Sequence, residues 1–226
     1  MKKIMFNDTF SLTQAVIDGK KTMTRRLVKQ PPYENFSIGF PTPDIAFNDK
    51  HPLAGAFCWI NKDNREEHTD WIRPQWRVGE VVAIAQSYKT IYDEATESGY
   101  WDDKYADFRN AITHDHAGWD NKMFVRSDLM PHQIQITDIG LQQLQDISDD
   151  DCLKEGVIMR PHLIGEATLN KYYPSAEHLL SIHKCGWGRC YDTPQLAFSE
   201  LIDKVSGADV WKTNPYVFVY EFRLVK

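Results

Sequence analysis

The chain has 226 residues, of which 42% are hydrophobic and 26% charged, and its 26 lysines and arginines face 32 aspartates and glutamates. This much apolar material excludes a disordered chain, and the net charge of −6 disfavours a protein that coats nucleic acid through counterion release. Four cysteines are too few and too scattered for a disulfide framework. Only three consecutive apolar residues precede Asn7, and no apolar run approaches the roughly 18 residues of a spanning helix. We therefore expect a cytoplasmic protein with no membrane partner.

Hydrophobic periodicity predicts short helices and several strands that are joined by long irregular segments. The predicted helices cover residues 12–18, about 104–112, 149–155 and 198–205. The predicted strands cover residues 20–29, 57–60, 81–85, 134–139 and 216–224. Weakly periodic insertions occupy residues 30–77, 89–122 and 157–195, and we expect the first and the last of these to lie outside the core. This pattern predicts a single α+β domain over residues 1–226, built on a small barrel or a strongly curved sheet.

Capping signals support two of the predicted helices. Ser11 and Gln14 have capping-box spacing at the start of the first helix, and Gly19 supplies a stop after it. Ser148 is the predicted N-cap of the helix over residues 149–155, with Asp151 at the capping-box position.

Residues 20–29 form the most informative segment, because five of them are basic in an otherwise acidic protein. Alternation places Thr22, Thr24 and Arg26 on one face of the predicted strand. A threonine hydroxyl becomes a nucleophile when an adjacent base accepts its proton, and a lysine is such a base when burial or a neighbouring cation lowers its pKa. Arg26 offers that cation, and it also offers a ligand for a carbonyl oxygen or a phosphate. The alternative interpretation is an exposed edge strand that its basic side chains protect from pairing.

Two further groups of residues are candidates for chemistry. Glu155 is either an ordinary surface residue or, if the fold brings it to Lys21 and Thr24, part of a catalytic site. A cluster of histidines and cysteines has the composition of a zinc site: His178, His183, Cys185 and Cys190. Its spacing does not match a short Cys-x-x-Cys knuckle, so we expect ordinary loop residues there, with neither a metal nor another cofactor bound.

The segment Gly19-x-Lys21-x-x-Thr24-x-Arg26 resembles the signature of the ASCH domain, a PUA-like β-barrel family whose pattern is Gly-x-Lys-x-x-Glu/Thr-x-Arg. Further motifs resemble the larger phage- and prophage-type members: Val78-Gly79-Glu80-Val81-Val82, Met130-Pro131, Leu144-Gln145-Asp146-Ile147-Ser148, Trp211 and Asn214-Pro215. The resemblance covers residues 6–29, 78–88, 123–158 and 196–226. It implies a PUA-like small curved β-barrel with short flanking helices and long loop insertions.

The same resemblance implies an activity, because small ASCH proteins include amidohydrolases that remove the acetyl group from N(4)-acetylcytidine. In those enzymes the signature lysine and threonine work with a glutamate from a later helix. Lys21 and Thr24 match directly, and Glu155 falls in the matching helix. The substrate-binding candidates are Gly19, Arg25 and Arg26. The implied mechanism has Thr24 attacking the acyl carbonyl while Lys21 accepts its proton.

A second function remains open on the sequence alone. A non-catalytic PUA-like module would use Lys21 and Arg26 to bind RNA or a modified nucleotide without altering it. The acidic overall charge favours a nucleoside-like small molecule over a long RNA duplex as the partner. The catalytic assignment requires that Lys21, Thr24 and Glu155 converge on one cavity. The sequence leaves the oligomeric state open.

Overall fold

The computed structural model describes residues 1–43, 51–97, 108, 112–164, 167–176 and 190–225. The strands in these ranges are β1 (Lys3–Ile4), β2 (Met23–Leu27), β3 (Phe36–Gly39), β4 (Cys58–Asn61), β5 (Val81–Ile84), β6 (Gln133–Gln143), β7 (Ile158–Ile164), β8 (Ala167–Tyr173) and β9 (Tyr216–Leu224). The helices with both ends in these ranges are α1 (Leu12–Ile17), α2 (Tyr88–Glu97), α3 (Asp149–Lys154), α4 (Pro194–Ser206) and α5 (Val210–Thr213). The predicted α+β class is confirmed.

Five strands form the central sheet, in the order β1-β5-β6-β9-β2. β1 and β5 are parallel and the other neighbours are antiparallel. Within the described residues this sheet is open rather than closed into a barrel, because β1 pairs only with β5 and β2 pairs only with β9. The predicted closed barrel is therefore not found there: β1 is two residues long and forms no ladder with β2.

The main core lies against this sheet, and part of it comes from residues 30–77. The prediction that this insertion is peripheral is wrong, since Phe57, Trp59 and Trp76 are buried in the main core. The ring centroids of Phe57 and Phe218 are 5.6 Å apart, and those of Trp76 and Tyr220 are 4.9 Å apart. The sequence did not predict these core residues, because isolated aromatic residues in a proline-rich segment leave no periodic pattern.

The segment 157–195 contains more regular structure than we expected. β7 and β8 form an antiparallel hairpin that runs from the pair Ile158 and Tyr173 to the pair Ile164 and Ala167. This hairpin is a separate two-stranded sheet, so the described part of the segment adds no strand to the central sheet, as expected. In the insertion 89–122, α2 was not predicted, and the predicted helix over 104–112 lies largely outside the described residues.

The predicted N-cap is confirmed for α3 and is wrong for α1. Ser148 accepts a hydrogen bond from the Asp151 N–H at 3.1 Å, as predicted. Ser11 makes no side-chain capping bond, because its φ of +55° turns it into the left-handed region. Gly19 ends α1 with a φ of +70°, a conformation that favours glycine. None of the helices in the described ranges combines the length and the apolar character needed to cross a bilayer.

Candidate functional site

A pocket of about 230 Å³ lies between β2, the end of α3, the apolar face of α4 and the segment that follows β1. The polar side chains that line it include five of the predicted site residues: Lys21, Thr24, Arg25, Arg26 and Glu155. Gly19, the sixth, is exposed and is not among the lining residues. Its observed role is to end α1 and so to start the turn that leads to Lys21.

Backbone hydrogen bonds bring the two ends of the site together. The Lys21 N–H donates to the Ala15 carbonyl at 2.9 Å, which holds the turn against α1. The Thr22 N–H donates to the Lys154 carbonyl at 2.9 Å, which joins the start of β2 to the end of α3. Glu155 is the next residue after Lys154, so this bond places its side chain beside Lys21.

Lys21 and Glu155 form a buried ion pair at the base of the pocket, with relative exposures of 2% and 4%. Lys21 Nζ donates to Glu155 Oε2 at 2.6 Å and to the Glu155 carbonyl oxygen at 2.7 Å. The ring of Phe6 lies 5.9 Å from the same nitrogen. Burial lowers the pKa of Lys21, Glu155 opposes that change, and the nearby Arg26 and Arg25 reinforce it.

Arg25 lines the pocket and is also engaged in contacts within the protein. Its side chain has a relative exposure of 0%. Its Nη1 donates to Glu155 Oε1 at 3.0 Å and to Met23 Sδ at 3.0 Å, while its Nη2 lies 3.2 Å from Asp151 Oδ2. These contacts engage both terminal nitrogens, whereas Nε is buried without a partner, so a contact between Arg25 and a substrate stays a prediction.

Thr24 and Arg26 keep polar groups available. Thr24 is 5% exposed, and within the described residues its hydroxyl makes no hydrogen bond. Arg26 Nη2 donates to the Met5 carbonyl at 2.7 Å, whereas its Nε is buried without a partner. Burial lowers the pKa of Arg26, and Glu155 and Tyr220 oppose that change. A buried donor without a partner is costly, so a ligand oxygen at Arg26 would be favourable.

The apolar wall of the pocket was missed by sequence reasoning. It consists of one face of α4, formed by Phe198, Leu201, Ile202 and Val205. The amphipathic pattern of this helix predicted a buried face, and the helix indeed begins at an N-cap, Thr193, whose side chain accepts the Leu196 N–H. The pattern carried no signal that the same face also borders a pocket.

No group of three or more histidine, cysteine, aspartate or glutamate side chains suited to a metal ion occurs among the described residues. Cys190 is exposed, and the other members of the predicted loop cluster, His178, His183 and Cys185, lie outside the described residues. Cys152, which is buried beneath the site, has a pKa raised by burial to about 12, so its thiol stays protonated near neutral pH.

Gly156 supports the site through its backbone conformation. Its φ is +107°, and an added Cβ would lie 3.2 Å from Leu12 Cδ2 and 3.7 Å from Lys21 Cδ. We expect Gly156→Ala to lower the free energy of unfolding by about 1–3 kcal/mol, because the new side chain is strained and crowded. Gly140→Ala is the control, since its Cβ would be 3.8 Å from Val219, an ordinary contact. Equal urea denaturation midpoints for the two variants would contradict this prediction.

Comparison with known proteins returned no match: no family model, no curated protein and no solved structure matches the chain. The assignment of function therefore depends on the geometry of the pocket and on the signature residues.

Proposed function

We propose that the protein is an amidohydrolase that removes the acyl group from an acylated nucleoside or modified base such as N(4)-acetylcytidine. The observation that carries this proposal is the convergence of Lys21, Thr24 and Glu155 on one pocket. These are the residues for which the resemblance to ASCH amidohydrolases implies catalytic roles. The proposal extends to the finer fold, in which the open five-stranded sheet corresponds to the PUA-like barrel of that family.

The reaction follows from the chemistry of these groups. Thr24 Oγ1 attacks the acyl carbonyl carbon while its proton passes to neutral Lys21 Nζ, and Arg26 or backbone amides stabilise the oxyanion. The C–N bond then breaks, and the departing amine takes the proton from Lys21, directly or through Glu155. Water hydrolyses the acyl ester on Thr24, with Lys21 again moving the proton. The products are the free base or nucleoside and a carboxylic acid, and the cycle requires no redox step.

Burial of Lys21 supports its role as a base. A lysine must lose its proton before it can accept one, and burial lowers the pKa of Lys21 towards that requirement. Glu155 opposes this shift, but its carboxylate also holds Nζ in place through a hydrogen bond of 2.6 Å, and Lys21 and Thr24 both line the pocket. The Glu155 carboxylate therefore fixes the position of Nζ but favours its protonated form.

The size of the pocket supports a single acylated base as the part of the ligand that it encloses. Its volume of about 230 Å³ is below the roughly 300–1,000 Å³ typical of sites that enclose a drug-sized ligand. A single base with its acyl group is therefore a better match than a folded RNA. The apolar face of α4 offers a surface against which a flat base packs.

A second candidate, a binding module for a modified nucleotide, is favoured by one observation. Arg26 presents a buried Nε without a partner, which suits a phosphate or carbonyl oxygen whether or not any bond is broken. Such a module would bind N(4)-acetylcytidine and release it unchanged.

Chromatography of products separates the two functions. Purified protein incubated with N(4)-acetylcytidine and a chelator is expected to release cytidine and acetate. Thr24→Val is the matched variant, because it keeps the β-branched shape in β2 and removes only the hydroxyl. Binding by calorimetry without turnover of any acylated nucleoside would instead support the binding module, and turnover by Thr24→Val would exclude Thr24 as the nucleophile.

A further inference from the structure

Four buried or partly buried charged groups form a chain of alternating sign that begins in the wall of the pocket. In order they are Lys21, Glu155, Arg25 and Asp151, with nitrogen–oxygen distances of 2.6, 3.0 and 3.2 Å between successive members. Only Asp151, whose side chain is 23% exposed, reaches solvent appreciably. The proposed mechanism uses the first two members and leaves the other two without a role.

The geometry fixes the Glu155 carboxylate from both sides. Oε2 faces Lys21 and Oε1 faces Arg25, so rotation of the carboxylate would break one contact or the other. Arg25 is itself held by Asp151, by Met23 Sδ and by the ring of Phe198 at 5.9 Å. Arg25 thus links β2, α3 and α4 at one point.

We propose that Arg25 is a positioning residue, which holds Glu155 between two cations so that Lys21 receives only part of the carboxylate's negative charge. This inference rests on the proposed function for its meaning, since it explains how a lysine paired with a glutamate still serves as a base. It assigns Arg25 a role that acts through Glu155 rather than through contact with a substrate.

The charges around Lys21 support this role. Glu155 faces it from the end of α3, Arg25 and Arg26 face it from β2, and the uncharged ring of Phe6 faces it from the segment after β1. The two arginines disfavour the protonated form of Lys21, whereas Glu155 favours it. If Arg25 were removed, Lys21 would be the one remaining member of the two ion pairs that the Glu155 carboxylate forms. The variant would also lack a cation that repels the protonated form of Lys21. Both changes raise the pKa of Lys21.

The test is a direct titration of Lys21 by NMR of selectively labelled lysine, which needs no turnover. Arg25→Met is expected to raise the pKa of Lys21 by about one unit, while the methionine still packs against Phe198. Arg25→Lys keeps the charge and is expected to restore most of the wild-type titration. Asp151→Asn is expected to lower the pKa of Lys21, because it removes a negative charge and lets Arg25 interact more strongly with Glu155. Lys20→Gln, whose side chain is 70% exposed, is the control and should leave the titration unchanged.

A purely structural Arg25 would give a different result. Arg25→Met would then lower the melting temperature without changing the pKa of Lys21, and this result would overturn the proposal. If Arg25→Met does not fold, the opposite shift in Asp151→Asn decides the question, and an unchanged titration there counts against the proposal. A protein that shows the titration shifts but no hydrolysis would retain this inference about Lys21 while failing the proposed function.

Discussion

Replacing Lys21 with arginine is expected to lower turnover of N(4)-acetylcytidine by about 10²–10⁴-fold, even though the positive charge remains. A guanidinium cannot release its proton near neutral pH, so it cannot accept the proton of Thr24. Lys21→Met should cost about as much, and adding Thr24→Val to it should cost little more, because residues that act as a unit are non-additive. The measurement is the rate of cytidine release by chromatography, with circular dichroism to show that each variant is folded.

The pH profile of the wild-type enzyme provides the companion measurement. Only neutral Lys21 is a base, so turnover should rise with pH and reach a plateau above the pKa of Lys21, which burial lowers from its ordinary value of 10.5. Turnover that is unchanged in Lys21→Arg would contradict the mechanism. A binding module would instead keep much of its affinity in that variant.

The second large effect is expected on stability. Glu155→Gln leaves Lys21 and Arg25 buried without the carboxylate between them, and the loss of one partner of a buried pair costs about 3–5 kcal/mol in the free energy of unfolding. Arg25 keeps Asp151, and Lys21 keeps the Glu155 carbonyl oxygen, so the fold should survive at low temperature. Urea denaturation monitored by circular dichroism measures the loss.

The sign of the pH dependence follows from linkage. Without Glu155 the pKa of Lys21 falls further, so between that lowered pKa and the ordinary lysine pKa of 10.5 the unfolded chain binds a proton that the folded protein has released. Stability of Glu155→Gln should therefore rise with pH up to the ordinary lysine pKa of 10.5. Glu80→Gln is the control, because its pair with Lys2 at 3.1 Å is partly exposed, with side-chain exposures of 24% and 52%, and such surface pairs are worth about 0–1 kcal/mol. Equal losses in the two variants would contradict a special role for the buried pair.

Short-range sequence signals predicted much of the secondary structure but little of how the helices and strands pack together. The Ser148 cap and the strand β9 could be predicted because the signals for each lie within a few residues of the sequence. The pairing of Lys21 with Glu155 depends on a backbone bond between Thr22 and Lys154, which no local pattern reveals. Only the resemblance of the signature brought these residues together in advance.

The misses have physical reasons as well. Ser11 has the sequence of an N-cap, but its left-handed backbone prevents its side chain from capping α1. The ion pairs of Arg25 with Glu155 and Asp151 were not predicted either, because they join residues that lie 130 and 126 positions apart in the chain.

Arg26 belongs to β2 through its backbone and reaches the chain after β1 through its bond to the Met5 carbonyl. The two edges of the open sheet are therefore fastened to each other by a side chain that also lines the pocket. A ligand oxygen that draws Arg26 Nη2 away from the Met5 carbonyl would break this link between the two edges. We therefore expect such a ligand to speed amide exchange in β1, although no residue of β1 lines the pocket.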